Sequence, residues 1–199
     1  MTSPIPAELV KKLRDQTGAG MMECKAALTE AGGNLEDATV ILRKRGLAQA
    51  AKKAGRAANE GQIGAYIHTG GKVGVLIELN CESDFVARTD DFQNLMKELA
   101  LQVAAASPLY VRREDIPEAV IDRERGIARA QVEGKPANVI EKIVEGKLGA
   151  FYEQVCLVDQ PSIRDPKTKV EQLIKAAIAK LGENIGVARF VRYRVGENA

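Results

Sequence analysis

Between Val73 and Val103 the chain switches from a period of two to a helical period across one short connection, and that switch constrains the fold more than any other stretch. Val73, Val75, Ile77 and Leu79 alternate with other residues, the pattern of a half-buried strand. From about Thr89, Phe92, Leu95, Met96, Leu99 and Val103 share one helical stripe, with Asp90 and Asp91 in the first turn, where acids complement the helix dipole. A strand therefore runs straight into a helix, and the connection from Cys81 to Arg88 carries Asp84 and Phe85. Aromatic side chains are large apolar groups and are few here, so one in a connection has two readings. Phe85 either inserts into something outside the chain or folds back beneath the sheet. Phe92 lies on the stripe and is assigned to the core; Phe85 lies off it.

The regions on either side extend the pattern. Residues 1–46 read as three short helices. Pro6 suits a first helical turn, Leu9, Val10 and Leu13 make a stripe, and Gly18 offers a left-handed stop. A second helix runs from about Met21 to Ala31, ending at Gly32 and Gly33; Asn34 caps a third that carries Leu35, Ala38, Ile41 and Leu42 and stops at Gly46. Helices of about ten residues are unstable alone, so their apolar faces must pack into a bundle. Residues 47–60 are rich in alanine and lysine and read as a helical linker.

In residues 61–199, Ile63, Ala65 and Ile67 alternate and join the Val73 strand through a turn at Gly70 and Gly71, giving a hairpin with one apolar face. Residues from about 114 to 158 are helical in pattern, with a thin stripe of Ile127, Ile140 and Ile143 and expected breaks at Gly134–Pro136 and at Gly146. An antiparallel helical hairpin projecting from the body fits that pattern. Gln160-Pro161 and Asp165-Pro166 mark a loop back, followed by a helix over about Lys169 to Leu181. The chain ends in a strand from Val187 to Val195, joined through Gly182, Glu183 and Asn184. The expected class is α+β: a three-helix bundle, a linker, and a three-stranded antiparallel sheet core with flanking helices.

Composition removes several functions. Lys and Arg total 29 against 27 acidic residues, whereas a dedicated nucleic-acid binder carries a marked basic excess. Between Arg43 and Arg56 lie six basic residues and no acidic ones, which is either a solvated linker or a contact to an acidic partner or RNA. That cluster contains no aromatic residue for stacking on bases. Cys24, Cys81 and Cys156 match no zinc or redox spacing and read as buried free thiols. His68 is the only histidine, so neither a His-based metal cluster nor a Ser-His-Asp site is plausible. Thr17 to Gly20 lacks the lysine and the upstream strand of a phosphate-binding loop, and Glu82 with Asp84 are two solvated or capping carboxylates. No catalytic residue, metal or cofactor is expected. No stretch approaches the ~18 apolar residues of a membrane span, and Met1 to Pro6 has no signal pattern, so a cytoplasmic location is expected.

Separated motifs, in one order, carry a resemblance: Leu13 to Met22, Glu78 to Ala87, Gly134 to Pro136, Glu141 to Gly146, Gln160-Pro161 and Gly182 to Asn184. Along nearly its whole length the chain resembles the elongation factor Ts family, the nucleotide exchange factors of the GTPase elongation factor Tu. Ser83 stands where that family usually shows Thr, which keeps the hydroxyl. The resemblance implies a ubiquitin-associated-type bundle at the front and a coiled-coil appendage over the helical hairpin. It also implies that Ser83, Asp84, Phe85 and Val86 displace Mg²⁺ from elongation factor Tu. Lys11, Arg14, Met21, Met22 and Lys25 match the surface that grips the partner's GTPase domain, although at least one of the two methionines is expected in the helix core, leaving an exposed one as the anchor. The chain looks like the family's short form, with one core half. An uncovered sheet face or edge then implies a homodimer, with Val187, Phe190, Val191 and Tyr193 of the last strand as the expected contact. An adaptor function for the bundle alone would leave the sheet domain without a task.

Overall fold

Local signals in the sequence place most of the elements. The computed structural model describes residues 5–132 and 136–197. In chain order it has α1 (Ala7–Thr17), α2 (Met21–Glu30), α3 (Leu35–Lys53), β1 (Glu60–Ile67), β2 (Val73–Cys81), α4 (Asp84–Ala87), α5 (Asp90–Ala106), α6 (Glu118–Ala130), α7 (Ala137–Val155), α8 (Val170–Leu181) and β3 (Gly186–Arg194). The strands form one antiparallel sheet in the order β1-β2-β3, so the fold is α+β. Among the described residues no helix is long and apolar enough to cross a membrane. Met1 to Pro4, and Gly134 with Lys135 at the expected hairpin break, lie outside the described residues. By its contacts the chain divides into two units, one made of Met1–Gly61, Asn80–Gln93 and Leu173–Gly186, the other of Gln62–Leu79, Asn94–Gln172 and Val187–Ala199.

In the first unit α1, α2 and α3 pack on one another around Val10, Leu13, Cys24, Ala27, Leu28 and Ala38. Gly18 ends α1 at a φ of 68°, and the Asn34 side chain accepts from the Glu36 and Asp37 amides at 2.9 and 3.3 Å. The stop expected at Gly46 is absent: α3 continues without a break to Lys53. Gly46 serves close approach instead. A Cβ there would lie 3.0 Å from the Ala179 methyl, so the glycine lets α3 and α8 come together.

The second unit holds most of the sheet. Val75, Ile77 and Leu79 of β2 are buried on one face, as their alternation requires. Helix α5 lies on this face, with Met96 over Gly64 and the Ala104 carbonyl accepting from Arg192 Nε at 3.2 Å. Strand β1 reverses the expected pattern: Ile63, Ala65 and Ile67 point outward and are exposed, while Gly64 is buried. Met96 is the reason, since a Cβ at Gly64 would meet its side chain at 2.7 Å; only glycine fits inward, and the pleat then turns Ile63 and Ile67 out. Together with Leu76, Val191 and Tyr193 they make an uncovered apolar sheet face. Of the four contacts expected on the last strand, Val187, at the start of β3, is instead buried in the core. Phe190 is half-buried, because it alternates with Val191 and so turns to the opposite face.

Helices α6 and α7 pack along each other around Ala128, Val144 and Leu148, and their bases close over Ile116, Val155 and Cys156. Ile127, expected on the inner stripe, is exposed because Ala128 takes the inward position. The break expected at Gly146 does not occur; α7 passes through it, and nothing lies within 4 Å of an added Cβ. Arg113 stacks over the Tyr152 ring at 4.6 Å and pairs with Asp159. All three cysteines are free and buried. His68 is exposed at the strand end, where its Nδ1 and the Tyr66 hydroxyl are 2.9 Å apart.

Candidate partner-docking site

The strand-to-helix connection folds into a capped turn. The Ser83 side chain accepts from the Val86 amide at 3.4 Å and so caps α4, a single helical turn. Thr89 then caps α5, accepting from the Phe92 amide at 3.3 Å while its hydroxyl donates to the Val86 carbonyl at 2.8 Å. Within α4 the helical rotation sorts the side chains. Val86 and Ala87 are buried, whereas Phe85 is 78% exposed. Folding back beneath the sheet is thereby excluded for Phe85. Asp84 pairs with Arg88 one turn on. Of the four residues singled out here, Phe85 alone offers a large uncovered apolar surface; Ser83 and Val86 face the protein.

Polar groups from a distant loop hold this turn. Glu183 accepts from the Ser83 hydroxyl at 2.6 Å and from the Ser83 and Glu82 amides at 2.9 and 3.1 Å. In return the Asn184 amide donates to Glu82 Oε1 at 2.7 Å, and Arg56 lies 3.5 Å from the same carboxylate. Burial pushes the Cys81 thiol above its ordinary pKa, and the Glu183 charge adds to the rise. Cys81 Sγ donates to the Ser83 carbonyl at 3.1 Å. From the sequence, Glu183 and Asn184 belong to the joining loop and to one of the motifs that carry the resemblance, and neither reading gives them a role. A pairing a hundred residues apart leaves no periodic trace, and the sole signal was an acid in a Gly182 turn facing a serine cap.

The second cluster lies on the bundle. Met21 and Met22 are both exposed, Met22 at 75%, so the expectation that at least one is core fails. The inward stripe of α2 is Cys24, Ala27 and Leu28, and it begins one turn too late to include either methionine. Lys11 and Arg14 on α1 and Lys25 on α2 are exposed as well, with no ion-pair partner among the described residues. Lys25 stands one helical turn beyond Met21 and Met22, so two flexible thioethers and a cation share one exposed face of α2. Among the described residues no group of His, Cys, Asp and Glu could hold a metal ion.

A profile described as Elongation factor TS matches residues 8–197. The chain belongs to the elongation factor Ts family. Proteins named Elongation factor Ts from Carboxydothermus hydrogenoformans, Thermotoga petrophila and Solibacter usitatus are 58%, 59% and 57% identical to it. Each alignment covers 97% of this chain and 90%, 97% and 92% of the respective relative. Membership in the elongation factor Ts family places the chain among the factors of translation elongation.

Proposed function

We propose that this protein is the guanine nucleotide exchange factor of elongation factor Tu: it binds the GDP-bound GTPase, displaces Mg²⁺ and promotes GDP release so that GTP can enter. The observation that carries this is Phe85, held on a capped turn with most of its ring uncovered. A GTPase grips its nucleotide through backbone amides and through Mg²⁺ bridging the phosphate oxygens. A partner speeds release by binding the empty state better than the loaded one, and linkage makes the two weakenings equal. Phe85 does this by gaining burial only where the GTPase has opened. Asp84, one residue before it and tied to Arg88, brings a negative charge toward the Mg²⁺ and phosphate side. Ser83 and Val86 act by holding the turn. The factor contributes no catalytic group and no cofactor of its own.

The bundle, residues 1–46, is taken as the ubiquitin-associated-type docking module, with Met21 and Met22 as apolar anchors and Lys11, Arg14 and Lys25 as charges for the GTPase domain. Residues 47–60 link it to residues 61–199, which include the helical hairpin over about 114–158 and dimerise. The uncovered sheet face of Ile63, Ile67, Leu76, Val191 and Tyr193 supports a homodimer, because a contiguous apolar patch marks an interaction surface. The protein works in the cytoplasm, without direct contact to nucleic acid or membrane. The test is release of labelled GDP from elongation factor Tu. Substoichiometric protein should accelerate it catalytically, and unchanged release at saturating protein would refute the proposal.

A further inference from the structure

We infer that Glu183 is the positioning residue of the Phe85 turn, and that through it the Gly182–Asn184 loop fastens this turn to the end of α3. The inference rests on the exchange function proposed above and assigns it a further residue. A four-residue helix has one hydrogen-bonded turn and cannot support itself, because nucleating a helix is unfavourable. Phe85, being exposed, contributes little packing of its own to hold it. Val86 and Ala87 pack the inner side of the turn, and Glu183 fixes its start at the cap. Its carboxylate takes three donors from consecutive positions, the Glu82 amide, the Ser83 amide and the Ser83 hydroxyl. Bonds to an ionised acceptor are the strong kind. The Ser83 hydroxyl donates to Glu183 while its lone pair accepts from Val86, so the carboxylate also fixes the orientation that caps α4.

The other side of the same loop is tied down independently. Lys53 Nζ donates to the Gly182 carbonyl at 2.6 Å, and Asn184 Nδ2 donates to the Arg56 carbonyl at 2.7 Å. These two residues lie at and just beyond the end of α3. A loop bonded on both sides transmits position: where α3 ends, Phe85 is presented. Without Glu183 the turn would still be hinged to β2 and α5, and its ring would sample orientations that fail to enter the GTPase.

The test uses the full chain with Glu183→Ala and Glu183→Gln, each with and without Phe85→Ala. Glu183→Gln keeps the shape and one acceptor oxygen, and it serves if Glu183→Ala fails to fold. Two quantities are read: GDP release at saturating factor, and affinity for the nucleotide-free GTPase. Loss of bonds to a charged acceptor should slow saturated release by about tenfold, while affinity changes by less than about threefold. Adding Phe85→Ala should slow release no further than Phe85→Ala alone, since both act through one ring. Rate and affinity falling in parallel, or losses that multiply in the double variant, would overturn the inference. A separate probe does not depend on exchange. The chain has no tryptophan, so Phe85→Trp introduces a single reporter, and its fluorescence anisotropy should drop when Glu183→Gln is added. Unchanged anisotropy overturns the positioning role even if exchange slows. Lowered anisotropy with normal exchange by Phe85→Ala sustains Glu183 and defeats the wedge instead.

Discussion

Phe85→Ala separates surface from core by the size of its effect on stability. Emptying a buried phenylalanine site costs about 3–5 kcal/mol. Phe85 is 78% exposed, so its removal should cost no more than about 0.5 kcal/mol, and alanine's better helix propensity offsets part of that. The binding side is different. Fully burying a phenylalanine side chain is worth about 1.5–3 kcal/mol. Scaled by the exposed fraction, about 1.2–2.3 kcal/mol remains available for the opened GTPase, roughly eight- to fifty-fold in release rate. Thermal melting and labelled GDP release measure the two quantities separately. The expected result is an unchanged melt with exchange slowed by that factor and the complex still detectable. A variant that melts far lower yet, while folded, exchanges normally would show that the ring is structural and the wedge mechanism wrong.

Three further outcomes are expected. Ile67→Glu or Tyr193→Glu should reduce the mass by light scattering from two chains to one, since either buries a carboxylate in the proposed interface; a dimer that persists at micromolar concentration would clear this face of the role. Gly146→Ala should stabilise the chain by about 0.5–1 kcal/mol, because α7 passes through an open, exposed position, and a lowered melting temperature would contradict a continuous helix. Burial first, and the charge of Asp159 second, push the Cys156 thiol from 9.0 to about 11. Its contribution to stability is therefore complete below pH 9 and is lost as pH rises through about 11. Denaturant midpoints of the wild type should fall more steeply over that window than those of Cys156→Ala, and parallel curves would refute the shift.

Local chemistry was legible in the sequence. Asn34 caps α3, the Phe92 stripe is core, and the three cysteines are buried and free. What escaped was set by neighbours distant in sequence. Gly46 looks like a helix stop until Ala179 is placed against it, and Ile63 and Ile67 look like core until Met96 occupies the space over Gly64. The candidate site divided in the same way. Phe85 could be singled out because it fell off a periodic stripe, but its exposure could not be read, nor could the bond that Glu183 makes to Ser83. Glycine carries two meanings, permission to turn and permission to touch, and the sequence alone does not say which applies.

The unbroken course of α3 restricts how this chain can change in length. Nineteen residues at 1.5 Å each make a rod of about 28 Å, from the Asn34 cap to the lysine that bonds Gly182. One residue inserted between Gly46 and Lys53 would rotate everything beyond it by about 100°, carrying Lys53 away from the Gly182 carbonyl while Gly46 stayed against Ala179. Inserting seven would nearly restore the facing direction, yet would lengthen the rod by about 10 Å. In that segment the composition can drift widely, provided the number of residues does not.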